Sequence, residues 1–340
     1  MKRVLLTGAA GFVGSHVLRH ILMETDWEVV CPVTFRHKGI PPRIHSALDS
    51  VTGAAARVST VILDLTAPVD PITTAQLGRI DVIMNVASNS HVDRSLERPV
   101  PFVLDNVAIM LNTLELARVL HPFMFLQMST DEVYGPAPAG YDSVEWDPIV
   151  PSNPYSASKA AQEAVAISYW RSYGVPLVIT NTMNVIGEMQ DPEKFVPMII
   201  RKVLAGDPVP VHCAPDGTAG SRFYLHARNL ADAWVMLAGS QSDPVERYAD
   251  GATRPARYSV VGELELGNDE LVTMIADILG RPAFIDRQTF HATRPGHDLR
   301  YALDGSKIWE RFGWSPPVPL RDSLKRTVEW TLAHPEWLEL

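Results

Sequence analysis

Directly after a short β-rich run, Arg3–Thr7, the chain reads Thr7-Gly8-Ala9-Ala10-Gly11-Phe12-Val13-Gly14. It then places Val13, Val17, Leu18, Ile21 and Leu22 at helical spacing. Glycines spaced G-x-x-G-x-x-G between a strand and a helix leave few folds open. Gly8 permits a tight turn, Gly11 lets the backbone approach a pyrophosphate, and Gly14 allows close packing of helix on strand. The helix opening at Phe12 and Val13 turns its free N–H groups and positive dipole end towards that phosphate. By itself the pattern also fits a Gly-rich turn without ligand; its place after the first strand favours a dinucleotide site.

Strand-like runs recur at Glu28–Val33, Thr60–Leu63, Asp81–Val86 and Phe123–Met128, alternating with helical patterns such as Pro101–Leu120. A further helix is expected from Tyr155 to Tyr173 and a strand at Leu177–Asn181. Parallel strands need crossover connections, so this alternation predicts an α/β fold with a Rossmann-type doubly wound parallel sheet. After Thr182, Pro, Gly and charged residues become frequent, and only Leu271–Leu279 and Leu320–Leu332 look helical. Residues 1–182 are expected to form the dinucleotide-binding domain, completed by 222–262. Residues 183–340 are expected to supply mainly a smaller, partly interleaved substrate domain.

The 340 residues are 46% hydrophobic and 20% charged, enough apolar mass for a sizeable core and too much for a disordered chain. Apolar stretches are short and broken by His, Arg, Asn or Pro, so no membrane span is expected. The run from Met1 to Gly8 reads as a strand entering a loop rather than as a signal peptide, which points to the cytoplasm. Two cysteines, Cys31 and Cys213, make neither a disulfide framework nor a zinc pattern. A net charge of −9 argues against a nucleic-acid partner; an anionic small ligand must be held by a few placed cations.

The end of the second strand is where an acid usually reads the cofactor ribose. Val33-Thr34 stand there instead, followed by Arg36, His37 and Lys38. A missing acid with a nearby Arg suits a 2′-phosphate gripped by charge-assisted bonds, while a solvated basic loop fits equally. NAD+ and NADP+ both stay open. Asp64-Leu65, after the third strand, falls where an adenine-contacting pair would lie.

Tyr155 and Lys159 lie one helical turn apart on one face. An ammonium beside a phenol favours the phenolate and makes Tyr155 a base near neutral pH; the same Lys can hold a nicotinamide ribose. Together with the Gly loop, this pair resembles the signature of the extended, nucleotide-sugar-modifying branch of the short-chain dehydrogenase/reductase superfamily. Ser129-Thr130-Asp131-Glu132-Val133-Tyr134-Gly135 is similar to the diagnostic run of its dTDP-glucose 4,6-dehydratase family. So are the stretches Ser90–Ser95, Ser152–Ala160, Pro192–Lys194 and Arg294–Asp298, and the likeness runs from Lys2 to about Trp330.

The resemblance implies loss of water from an NDP-hexose, giving the 4-keto-6-deoxy sugar, with hydride stored on the nicotinamide and returned within each turnover. Removing water across C5 and C6 needs a base and an acid, and two carboxyls can share the task if their environments push their pKa values apart. By resemblance Asp131 is the acid, Glu132 the base, Thr130 the partner of the C4 oxygen, and Tyr155 the acceptor of the C4 hydroxyl proton. A 4-epimerase would share the Gly loop and the Tyr–Lys pair but leave Asp131 and Glu132 idle. A non-catalytic NAD(P)-binding protein is the remaining alternative.

On the substrate side the branch's pattern makes Asn184, Lys194, Arg222 and Arg294 candidates for the nucleotide diphosphate, with His297 and Tyr301 near the base or sugar. His91 is counted with the substrate contacts and given a structural role with cofactor contact, and Ala87 and Asn106 are counted with the cofactor contacts. No second cluster completes a metal site around His91 and Asp93, so no metal is expected. The sequence departs from the family's pattern at Phe223 and Asn229, where it usually has Asp. Asn184-Val185-Ile186-Gly187-Glu188 replaces a usual N-N-Y-G-P. The resemblance also implies a homodimer paired through the helices at Pro101–Leu120 and Tyr155–Tyr173.

Overall fold

The computed structural model describes residues 1–36, 38–240, 245–247, 251–289 and 299–339. Strand and helix alternate through the first half: β1 (Arg3–Thr7), α1 (Phe12–Glu24), β2 (Glu28–Val33), α2 (Pro41–Asp49), β3 (Val58–Ile62), α3 (Pro71–Leu77) and β4 (Val82–Asn85). They continue with α4 (Val92–Glu97), α5 (Pro99–Leu120), β5 (Met124–Thr130), α6 (Pro154–Tyr173) and β6 (Leu177–Thr182). The second half holds β7 (Val185–Ile186), α7 (Phe195–Ala205), β8 (Val209–Cys213), β9 (Ser221–Phe223), β10 (Leu225–His226), α8 (Ala227–Gly239), β11 (Val245–Arg247) and β12 (Thr253–Val260). It ends with β13 (Glu265–Gly267), α9 (Asn268–Leu279), β14 (Ile285–Thr289), α10 (Ser306–Phe312) and α11 (Leu320–Ala333).

Eight strands form one sheet in the order β11-β12-β6-β5-β4-β1-β2-β3, parallel throughout except for β11. The order reverses between β1 and β4, and in such sheets a crevice opens at the carboxyl ends of the strands at that point. Period-two alternation decides which core each strand residue joins. Val4, Leu6 and Val82 pack under Val17, Leu18 and Ile21 of α1 and Trp234 of α8. Leu5, Ile83, Phe125 and Ile179 face the other way, against Met110 and Leu114 of α5 and Ala166 of α6. A separate core joins Ile199 and Ile200 of α7, Leu271 and Ile275 of α9, and Leu324 and Val328 of α11.

Some boundaries differ from the sequence expectation. β3 begins two residues earlier, at Val58, and Leu63 beyond its end still donates its N–H to Val33 O at 2.9 Å. α2 and α3, which were not placed from the sequence, open on Pro41 and Pro71 at the first helical position, where no N–H is missed. α7 and α8 were not expected, because they fall in the stretch rich in Pro, Gly and charge. Against the expectation that no segment would do so, α5 is long and apolar enough, by length and composition, to cross a membrane. It packs lengthwise on α6. β12 joins the sheet beside β6, with Ala256 opposite Val178 and Val260 opposite Thr182.

Candidate active site

The Gly loop is shaped by backbone crowding. Gly8 has φ +73, and a Cβ on it would stand 2.9 Å from the Ala87 amide nitrogen. At Gly14 a Cβ would lie 2.0 Å from Gly8 O, so only glycine lets the first turn of α1 press on the loop. No side chain caps α1 at Gly11, and the first-turn amides of Phe12 and Val13 are open to an anion.

At the far edge Arg36 and Asp64 form an ion pair. Asp64 also accepts the Thr66 N–H (3.0 Å) and hydroxyl (2.7 Å). The two side chains expected to read a 2′-phosphate and the adenine therefore meet each other, because β2 and β3 are paired and bring their following loops together. Leu65 is buried beside them, and its carbonyl accepts from Asn112 Nδ2 at 2.9 Å. His37 lies outside the described residues.

Between the Gly loop and α6 runs a line of buried polar groups. The Val86 and Ala87 amides donate to Thr7 Oγ1, each at 3.0 Å. Thr7 Oγ1 donates to Asn85 Oδ1 (2.7 Å), and Asn85 Nδ2 to Gln127 Oε1 (2.7 Å). Asn106 is fully buried and spent on protein: Oδ1 accepts the Asn89 N–H, while Nδ2 donates to Asn89 O and Ser158 Oγ. Its side chain thus fastens the loop after β4 to α6, and what it offers a cofactor is that loop's position.

The carboxyl end of β5 turns sharply. Thr130 caps the single 3-10 turn Asp131–Tyr134; its hydroxyl accepts the Glu132 N–H at 3.4 Å and donates to Asp131 Oδ1 at 2.8 Å. Asp131 is 4% exposed. Burial first, and then the charge of Glu132, push its carboxyl up to about 7, although the Thr130 hydroxyl and Arg222 pull the other way. Glu132 Oε2 accepts from Asn153 Nδ2 at 3.3 Å. A buried network holds the turn from behind. Asn181 Nδ2 donates to Thr130 O and to Glu163 Oε1, each at 3.0 Å, and Glu163 pairs with Arg257 at 2.6 Å. Arg257 Nη1 in turn donates to the Tyr134 hydroxyl at 3.0 Å.

A capping box places Tyr155 in the first turn of α6. Asn153 Oδ1 accepts the Ser156 N–H at 2.9 Å, the Ser156 hydroxyl accepts the Asn153 N–H at 3.1 Å, and Pro154 opens the helix. The electrostatics differ from expectation. Burial and the charge of Glu132 raise the Tyr155 phenol above its ordinary value, with the Thr130 hydroxyl opposing them. Lys159 Nζ is engaged elsewhere, donating to Met128 O (2.8 Å) and Gln162 Oε1 (2.6 Å), and burial brings it down to about 8. In the chain by itself, desolvation and a neighbouring carboxylate keep the phenol protonated.

Among the substrate candidates, Asn184 is exposed at the start of β7, and its carbonyl accepts the Leu225 N–H at 3.0 Å. Lys194 Nζ donates to Ser90 O at 3.2 Å. His91 stands 3.7 Å from Glu193, which also pairs with Arg94 at 3.0 Å. Arg222 is 3% exposed; its Nη1 donates to Ser221 O and Leu299 O at 2.6 Å each, and its guanidinium lies 4.4 Å over the Tyr301 ring. The structure thus sets Arg222 in a buried position within electrostatic reach of Asp131, rather than on an open surface. Arg294 and His297 lie outside the described residues.

Sequence reasoning passed over Gln162, Glu163, Gln127 and Arg43. The first two carried a signal, since they lie three and four residues beyond Lys159 on α6. Arg43 carried none. It is buried on α2, donates through Nε and Nη2 to Met189 O and through Nη1 to Lys38 O, and so ties the loop after β2 to the loop after β7.

Residues 4–249 match the model of the NAD dependent epimerase/dehydratase family. The dTDP-glucose 4,6-dehydratase of Neisseria meningitidis serogroup B is 33% identical over 99% of this chain and 95% of its own. A solved dTDP-glucose 4,6-dehydratase from Streptomyces venezuelae, with NAD and TYD bound, superposes with a TM-score of 0.85 at 32% identity over 99% of each chain. The UDP-glucose 4-epimerase of Thermus thermophilus, in complex with NAD, gives 0.79 at 26% identity over 96% of this chain and 98% of its own. The likeness to the dehydratases read from the motifs is thus matched over the full length.

Proposed function

The chain belongs to the NAD dependent epimerase/dehydratase family, and from that premise we propose that it is a nucleotide-sugar 4,6-dehydratase. Its substrate is an NDP-hexose of the dTDP-glucose type and its product the NDP-4-keto-6-deoxyhexose. One observation carries this reading. Asp131 is buried with its carboxyl pushed up to about 7, adjacent to Glu132 and within electrostatic reach of Tyr155, so an acid and a base stand together where an epimerase needs neither.

The residues present fit a nicotinamide dinucleotide: Gly8 and Gly14 leave no room for a side chain, and Gly11 little, where the pyrophosphate would meet α1. Bound there, the cofactor supplies a hydride acceptor for C4 of the sugar and a hydride donor for C6. We assign NAD+, because the Arg36 charge is already answered by Asp64. Once the Lys159 ammonium turns from its protein partners to the phenol and favours the phenolate, Tyr155 takes the C4 hydroxyl proton, and Thr130 orients the C4 oxygen. The C4 ketone acidifies the C5 proton, which Glu132 removes, and Asp131 gives its proton to the departing C6 hydroxyl. Lys159 would hold the cofactor ribose.

On the same reading the cofactor is held by residues 1–182 together with 222–262, where β12 extends the sheet, and the sugar nucleotide mainly by 183–340. A second copy docks along α5 and α6, where Val100, Leu104 and Val119 are exposed. A cytoplasmic setting agrees with two free, buried cysteines, Cys31 and Cys213. The test is mass spectrometry of the purified protein with a panel of NDP-hexoses and either cofactor. The expected result is a product lighter by one water without net cofactor reduction. An isomer of unchanged mass would mean an epimerase, and tight cofactor binding with no product from any sugar would count against catalysis.

A further inference from the structure

We infer that Gln162 is a positioning residue for Lys159: its side-chain oxygen holds the lysine's ammonium and so governs how much of that charge reaches Tyr155. The inference rests on the proposed Tyr155–Lys159 pairing in the hydride step. Gln162 lies on the α6 face next to Lys159 and is fully buried. Its Nε2 donates to Asn106 O on α5 at 2.6 Å, which turns Oε1 towards Lys159 Nζ, also at 2.6 Å. The amide can therefore accept from the lysine in one orientation only.

The surrounding groups make that oxygen a contested one. Gln127 Nε2 donates to Met128 O at 2.7 Å and reaches Gln162 Oε1 at 3.5 Å. Both acceptors of Lys159 therefore also receive the Gln127 amide, whose orientation is set by Asn85. The charges around Lys159 come from several elements. Glu163 on α6 favours the ammonium and is itself paired with Arg257 of β12; Asp131 and Glu132, after β5, act on Tyr155. With Glu163 so engaged, the neutral oxygens of Gln162 and Met128 are the ammonium's direct partners. Removing one leaves a buried cation short of an acceptor and free to turn to the phenol.

The experiment follows the 13Cε resonance of Lys159 with pH in protein labelled at lysine Cε, the signal being identified by its loss in Lys159→Met. Gln162→Met should lower the titration midpoint by about one pH unit, and Gln162→Glu should raise it by about as much. The alkaline limb of the first hydride transfer, read as reduced cofactor formed in a single turnover, should move in the same directions. Thermal melts show which variants fold, and Gln162→Asn, an amide withdrawn by one methylene, replaces any that does not. A midpoint unmoved in folded variants that merely melt earlier would overturn the inference and leave Gln162 a packing residue. The lysine titration needs no substrate, so a wild-type protein that dehydrates no sugar would defeat the proposed function and leave this measurement readable.

Discussion

The Thr130 hydroxyl donates to Oδ1 of Asp131 over 2.8 Å, while Oδ2 of the same carboxyl is buried with no hydrogen-bond partner among the described residues. A carboxyl with one bare, desolvated oxygen keeps its proton, which is what a general acid requires. Its folded value of about 7 lies above the ordinary 3.8, so the folded chain retains a proton that the unfolded chain releases. The stability this contributes is whole below 3.8 and is lost as pH rises through about 7. Asp131→Asn should flatten the pH dependence of stability across that window, seen in denaturant melts at about pH 5 and about pH 8. It should also slow water loss by about a hundredfold or more.

Glu132 supplies a prediction that separates the two halves of the reaction. Its carboxylate accepts from Asn153 Nδ2 at 3.3 Å, and on the proposed function it takes the C5 proton. Glu132→Gln should leave the first hydride transfer intact and cut turnover by at least about a hundredfold. Reduced nicotinamide, followed by its near-ultraviolet absorbance, should then accumulate on the enzyme. Turnover equal to the wild type would remove Glu132 from the role of base.

On the proposed assignment of NAD+, cofactor choice would turn on the pairing of Arg36 with Asp64. Asp64→Asn would free the guanidinium to meet a 2′-phosphate, and the ratio of NAD+ to NADP+ affinity should shift towards NADP+ by about tenfold. Adding Arg36→Ala should reverse the shift. Calorimetric titration of both cofactors gives the ratio, and a ratio indifferent to Asp64→Asn would show that the pairing does not set it.

Behind the site, Glu163 and Arg257 are buried together at 2.6 Å and tie β12 and α6 to Tyr134 and Asn181. Arg257→Met alone strands a buried carboxylate and should cost about 3–5 kcal/mol. Glu163→Leu combined with Arg257→Met should recover much of that loss, since an apolar pair strands no charge. Denaturant melts of the two variants decide it. A double variant as unstable as the single one would mean that the hydrogen bonds to Tyr134 and Asn181, rather than the charge balance, hold the turn.

Features set by local spacing were legible in advance. β1, β2, α5 and α6 fall where residue periodicity places them, because a helix or strand face is dictated by neighbours a few residues away. The second half was harder: β7 to β10 and β13 are two to five residues long, too short for a pattern to stand above chance. That 222–262 would return to the first domain was expected, but not that β12 would pair with β6, since a strand's partner is chosen by topology and not by its own sequence.

The same division runs through the candidate site. Gly8, Gly11 and Gly14 announce the tight loop between β1 and α1, and Tyr155 and Lys159 announce one helix face, because turn sterics and the helical period are properties of contiguous residues. Tertiary structure alone decided that Arg36 meets Asp64, that Lys159 is held by Met128 and Gln162, and that Asp131 is buried within reach of Arg222. Protonation and charge availability depend on desolvation and on partners carried by other strands. Neither exists until the chain has folded.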